Sequence, residues 1–312
     1  MRVLLITGGG QCGIFEHGCY LAEAVKAAGV EITVARQIAL DPLEAPDPET
    51  YDVLHLNYHA ALHSRWTPSW VQRVREQALK PVVITYHDTG VPNAQQCLDL
   101  YAVADAFIVH EPCEDLPGAY YWRQGVPKRQ SAWEYESHQR PLLGTVGFPF
   151  PWKSFDMLAE ATAEAGWWLL LLAPTATHEQ ITGWMERNPR LIVDAGFTPR
   201  EQVVSKLAGC DATAFIYGGC NTGTSGAIRQ GLAARKPLLA NVEQRQFRDL
   251  ALADRRELIR WTLPTVDGIV TQLSRLPISE RPDPGTVFLA ERDSWTKLGE
   301  KYAALYRSLA NR

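Results

Sequence analysis

The chain has 312 residues, of which 46% are hydrophobic and 21% charged, the composition of a packed globular protein with room for two domains. A formal net charge of −4 argues against a general nucleic-acid or anionic-membrane binder. The six cysteines (Cys12, Cys19, Cys97, Cys113, Cys210, Cys220) form no CxxC pair and no zinc-ligand spacing, so reduced thiols in the cytoplasm are expected.

The opening MRVLLITGGG predicts a buried strand over 2–7 and a glycine turn over 8–13, too short for a secretory leader. A helix is expected over 20–28, stopped by Gly29, and a second strand over 31–35. This β–turn–α–β unit opens a doubly wound parallel sheet. It continues with a strand over 53–56, a helix over 69–78, a strand over 82–86, a helix over 94–103 and a strand over 106–109. Residues 121–140 turn polar and read as a linker or irregular loop. A second α/β series follows, with strands over 142–147, 168–173, 191–194, 212–216 and 237–240. Helices over 154–165, 178–187 and 199–208 separate the first four strands, and a helix after the loop at 222–226 leads to the fifth. The tail, 293–309, carries Trp295, Leu298, Tyr302, Leu305, Tyr306 and Leu309 at helical spacing. The longest apolar run, 167–174, is far short of a membrane span, so no integral membrane segment is expected.

Ligands of doubly wound sheets bind beyond the carboxyl ends of the strands, which directs attention to four loops. In GGGQCG, Gly8, Gly10 and Gly13 fit GxGxxG, but no acid closes the second strand, which ends at Ala35-Arg36. Without that acid the dinucleotide fingerprint is incomplete. The turn serves either close backbone approach to a ligand, at Gly10, Gln11 and Gly13, or tight helix–strand packing. In TYHDTG, His87 stands at a strand end, where an imidazole either meets a substrate hydroxyl or bonds a neighbouring carbonyl. His55, His59 and His63 have helical spacing, but His55 lies on a strand, so they are not expected to bind metal. In GFPFPWKSFDML, Lys153 precedes the helix cap Ser154, and an ammonium and free N–H groups there can hold a phosphate together. The alternative for Lys153 is a solvated surface lysine. In YGGCNTGTSGAIRQGLAARKPLLA, residues 222–226 offer N–H groups, hydroxyls and a helix dipole to a diphosphate. Arg229 and Gln230 follow within the first turn or so, and no GK[ST] marks a Walker loop.

In order and spacing these segments resemble the GT-B glycosyltransferases, and within them the large retaining family 4. GGGQCGIFEHGCYLAEAVKAAGVEITV is similar to that family's glycine loop and first helix, and YDVLHLNYH, VVITYHDTG and ADAFIVHEP to its following strands. GTVGFPFPWKSFDMLAEA resembles its second-domain opening, GFTPREQVVSKLAGCDATAFIY its approach to the donor loop, and SWTKLGEKYAALYRSL its closing helix. The resemblance implies an α/β GT-B fold of two Rossmann-like doubly wound domains facing a cleft. Residues 1–138 would form the acceptor domain, 139–292 the donor domain, and 293–312 a helix crossing back onto the first domain.

It further implies transfer of a hexose-like sugar from a UDP- or GDP-sugar, with retention. The nucleotide sugar is then a co-substrate; no cofactor is implied, and no metal, since no acidic metal-binding pair is apparent. Lys153 matches the family's donor-phosphate lysine, and His87 its histidine that reaches the donor sugar. Thr222, Gly223, Thr224, Ser225, Gly226, Arg229 and Gln230 fall on the donor loop and helix, with Gly10, Gln11 and Gly13 on the acceptor side. The family's arginine five residues before the lysine is here Phe148, and its paired glutamates align with Thr222 and Gln230. The acceptor stays open among a glycan, a lipid, a small molecule and a modified DNA base. A sugar-nucleotide-binding protein that has lost catalysis is the other reading.

Overall fold

The computed structural model describes residues 1–10, 12–36, 46–60, 62–63, 66–87, 94–219, 224–241, 245–253, 258–278 and 281–311. The chain divides into two compact units. The first is Met1–Gly125 with Thr222–Thr224 and Asp293–Arg312; the second is Val126–Asn221 with Ser225–Arg292. The division after Gly125 falls earlier in the chain than the expected boundary at 138.

The first unit runs β1 (Arg2–Thr7), α1 (Gly13–Ala27), β2 (Glu31–Arg36), β3 (Val53–Tyr58), α2 (Pro68–Ala78), β4 (Val82–Tyr86), α3 (Ala94–Val103), β5 (Ala106–Val109) and β6 (Tyr120–Tyr121). Its six strands lie in the order β2-β1-β3-β4-β5-β6, and every pair is parallel. The central strands β3, β4 and β5 are buried at every position, as a sheet covered on both faces requires. One face packs Leu5, Leu21 and Val25 against the C-terminal helix, and the other packs Tyr58, Trp66, Trp70 and Tyr86.

Helix α1 begins at Gly13, well before the expected start at residue 20. Cys12 caps it, its Sγ accepting from the Phe15 N–H at 3.4 Å. Gly18, which weakens the helical pattern locally, is a packing requirement: a Cβ there would stand 2.8 Å from the Thr7 Oγ1. Sequence propensity therefore points away from a helix that tertiary packing demands.

The second unit continues with β7 (Leu142–Val146), α4 (Phe155–Glu164), β8 (Trp168–Leu172), α5 (His178–Arg187), β9 (Leu191–Asp194), α6 (Arg200–Ala208), β10 (Ala212–Phe215) and α7 (Gly226–Ala234). It closes with β11 (Leu238–Asn241), α8 (Arg248–Ala253), β12 (Arg260–Thr262), α9 (Val266–Leu273) and α10 (Pro284–Arg292). These strands form a second parallel sheet in the order β12-β11-β10-β7-β8-β9. The tail is α11 (Trp295–Ala310), capped by Ser294 and packed on α1 in the first unit. Among the described residues no helix is long and apolar enough to cross a membrane.

A buried polar relay fixes α11 to the first sheet. The His55 Nδ1 lies 2.6 Å from the Tyr306 hydroxyl and its Nε2 lies 2.8 Å from the Thr85 hydroxyl, which is 2.9 Å from the Tyr302 hydroxyl. A neutral imidazole supplies one donor and one acceptor, and the three hydroxyls orient to match. Burial holds His55 down at about 3. Tyr306→Phe deprives one buried ring nitrogen of its partner and is expected to lower the unfolding free energy by about 1–3 kcal/mol in a urea titration. The folded-state value of His55 lies below its ordinary 6.5, so its stabilising contribution is complete above that pH. It is lost progressively as the pH falls from there toward 3. The urea midpoint is therefore expected to be lower at about pH 5 than at about pH 7.5; a flat profile would contradict the buried neutral imidazole.

Candidate active site

In the second unit, β7 leads into Gly147, whose φ of +154° favours glycine. A Cβ at this position would meet the Lys153 Cε at 3.2 Å. The lysine stem fills that space, and Lys153 is 6% exposed rather than solvated on the surface. Its Nζ stands 3.7 Å from the centroid of the Tyr217 ring and 4.5 Å from that of Trp152. A cation over an aromatic face gains about 0.5–2 kcal/mol, more as it is desolvated.

Tyr217 follows β10 and is held by Asn241 at the end of β11. The Tyr217 N–H donates to the Asn241 Oδ1 at 2.9 Å, and the Asn241 Nδ2 donates to the Tyr217 carbonyl at 2.8 Å. The Tyr217 hydroxyl lies 2.9 Å from the Ser225 Oγ. Ser225 is the N-cap of α7 and makes no side-chain cap bond. Its hydroxyl is directed to Tyr217, so the first turn of α7, beginning at the exposed Gly226, takes no capping oxygen from it. An anion at this helix start meets N–H groups and the positive end of the dipole.

The remaining donor-loop residues divide three ways. Thr222 and Gly223 lie outside the described residues. Thr224 is half-buried directly before the cap, and Gln230 is buried on α7. Arg229, considered from the sequence as a phosphate contact, is 2% exposed, and its Nη2 is paired with the Asp249 carboxylate. Its charge is met inside the unit.

In the first unit, Gly10 adopts φ +79° and Gly13 opens α1, while Gln11 lies outside the described residues. The glycine turn is tied to the sheet through Thr7 and Asn57. The Thr7 hydroxyl donates to the Ile14 carbonyl at 2.9 Å, and the Asn57 Nδ2 donates to the same carbonyl at 2.7 Å and to the Thr7 Oγ1 at 2.9 Å. The Asn57 Oδ1 is 2.5 Å from the His87 Nε2.

His87 is part of a group. Strands β4 and β5 are paired with Tyr86 opposite Val109, so the next residue on each, His87 and His110, leaves the sheet beside the other. Their ring centroids are 4.8 Å apart, and His17 from α1 lies 4.4 Å from His87 and 5.3 Å from His110. Trp295 at the start of α11 packs edge-on against His17 at 4.9 Å. Burial, reinforced by His17, His110, His59 and His63, holds His87 well below the ordinary histidine value. Burial followed by His110 and His55 does the same to His17, against an opposing contribution from the Asn57 amide.

Sequence reasoning reached Lys153, His87 and the α7 loop but not Tyr217, Asn57, His17 or His110. His110 carried a usable signal, since it stands one place beyond an apolar strand as His87 does. His17 lay between the expected turn at 8–13 and the expected helix at 20–28, and Tyr217 opened the donor-loop segment with no role of its own.

No protein-family model and no curated protein matches the chain. Solved structures do. Anabaena HepE in complex with UDP and glucose superposes with a TM-score of 0.70 at 15% identity, covering 99% of this chain and 100% of that chain. AviGT4, a glycosyltransferase involved in avilamycin A biosynthesis, gives 0.62 at 16% identity over 99% and 98%. An alpha-glucosyltransferase in complex with UDP and a 13-mer DNA gives 0.65 at 11% identity over the whole of both chains. The fold is therefore α/β of the GT-B type.

The Arg229–Asp249 pair yields a prediction. Arg229→Ala strands a fully buried carboxylate and is expected to cost about 3–5 kcal/mol of unfolding free energy in a urea titration. An arginine serving only a ligand phosphate would leave the ligand-free stability unchanged.

Proposed function

We propose that the protein is a glycosyltransferase taking a sugar from a nucleoside-diphosphate donor, uridine diphosphate being the preferred carrier. The observation that carries this reading is the Lys153 ammonium seated on Tyr217, whose hydroxyl bonds the side chain of Ser225, the N-cap residue of α7. The ammonium and the helix start provide the two positive elements that a departing diphosphate needs. Complexes of the fold relatives with UDP and UDP-glucose support the choice of nucleotide. In the reaction the bond from the anomeric carbon to the diphosphate oxygen breaks and a bond to an acceptor hydroxyl oxygen forms. The hydroxyl proton leaves with the diphosphate. Lys153 and the α7 N–H groups stabilise the charge that develops on the leaving group, a role that asks for no divalent ion at the diphosphate.

His87 is assigned to the reacting sugar, and the turn at Gly10, Gln11 and Gly13 to the acceptor. Retention of configuration follows from the resemblance to family 4. The absence of carboxylates at Thr222 and Gln230 favours one second reading, a protein that binds the nucleotide sugar without transferring it. A sensitive assay for donor hydrolysis separates the two, with turnover ruling out the binding-only form.

Calorimetry with UDP, UDP-glucose and GDP tests the donor assignment. UDP is expected to bind, and Lys153→Ala to weaken it about 10–100-fold, the value of one charge-assisted hydrogen bond. Absence of UDP binding, or equal binding by the variant, would overturn the site.

A further inference from the structure

We infer that His17, His87 and His110 form a binding site for one divalent transition-metal ion of the zinc class. All three side chains are buried, and each places a ring nitrogen within 4.8 Å of a nitrogen of the other two. All belong to the first unit.

Hydrogen bonds assign two of the lone pairs. The His110 Nδ1 lies 2.7 Å from the Trp122 carbonyl oxygen. A carbonyl only accepts, so Nδ1 carries the proton and Nε2 the lone pair of the neutral ring. The second assignment runs through Asn57. Its Nδ2 donates to the Ile14 carbonyl and to the Thr7 hydroxyl, which gives its own proton to the same carbonyl. The amide orientation is thereby fixed, and the atom facing the His87 Nε2 is the acceptor Oδ1. His87 is then protonated on Nε2 and carries its lone pair on Nδ1, which makes no hydrogen bond. Neither ring nitrogen of His17 makes a hydrogen bond of good geometry, so either can ligate.

Imidazole nitrogens suit zinc, cobalt, nickel or copper rather than magnesium or calcium. Three ligands at about 2.0–2.1 Å leave a fourth position open and require the ligating nitrogens to stand about 3.3 Å apart in a tetrahedral arrangement. Binding therefore draws the rings inward by about 1 Å, while Asn57 and the Trp122 carbonyl orient two of them from behind. The His87 Nδ1 cannot serve a metal and a substrate hydroxyl at once, so the two occupancies exclude each other. Metal binding itself does not depend on the proposed transferase activity.

The test is titration of the chelator-treated full chain with Co²⁺, read by its visible d–d bands, followed by displacement with Zn²⁺. One ion per chain is expected. His17→Gln and His110→Gln are each expected to weaken binding at least about 10-fold, and Asn57→Ala about 10–100-fold. His178→Gln, at an exposed position on α5, is expected to bind as the parent does. Near-UV circular dichroism confirms that each variant is folded. Absence of d–d bands from the parent, or unchanged binding by the folded His17 and His110 variants, would overturn the site. Cobalt binding without UDP binding would support it and overturn the donor assignment alone.

Discussion

The contact between the Lys153 ammonium and the Tyr217 ring is the constraint on which the proposed donor site depends. Tyr217 is fixed at its backbone by Asn241 and at its hydroxyl by Ser225, so one residue joins the ends of two strands to the start of α7. The lysine reaches that ring only because Gly147 leaves room for its stem. A charge placed in this way faces an incoming anion without first giving up the rotamer freedom of a surface lysine. The same tyrosine draws the Ser225 hydroxyl away from capping, which makes the helix start receptive. Position and electrostatics thus have a common origin.

The first unit uses the same topology for different chemistry. Parallel pairing of β4 with β5 brings two histidines off the sheet together, and α1 adds a third. Buried neutral imidazoles need partners, and the structure meets that need differently at two places. His55 is satisfied on both sides by hydroxyls and serves as a structural anchor for α11. His17, His87 and His110 instead bring ring nitrogens within 4.8 Å of one another, the juxtaposition on which the proposed metal site rests.

Much of this was legible in the sequence wherever local pattern and tertiary need agree. The segments at 53–56, 82–86 and 168–173 were read as strands and are found as β3, β4 and β8, and α5 and β9 fall on their expected bounds. The segment at 13–19 was illegible because Gly18 lowers helix propensity for a reason that resides in Thr7. The short β6 and β12 lack the length that a periodicity needs. At the site, Lys153 and His87 follow from their places after strands. Arg229 shows the limit of that reasoning: its position on α7 suggests a phosphate, whereas Asp249, twenty residues on, claims its guanidinium. No spacing rule connects His17 to His110; only the fold does.

The most direct test is a crystal structure of the protein with UDP bound. The β-phosphate is expected within hydrogen-bonding distance of the Lys153 Nζ and of the backbone N–H groups at the start of α7, with Tyr217 still beneath the lysine. A diphosphate bound elsewhere, leaving Lys153 and the α7 start without contact to it, would contradict the proposed donor site.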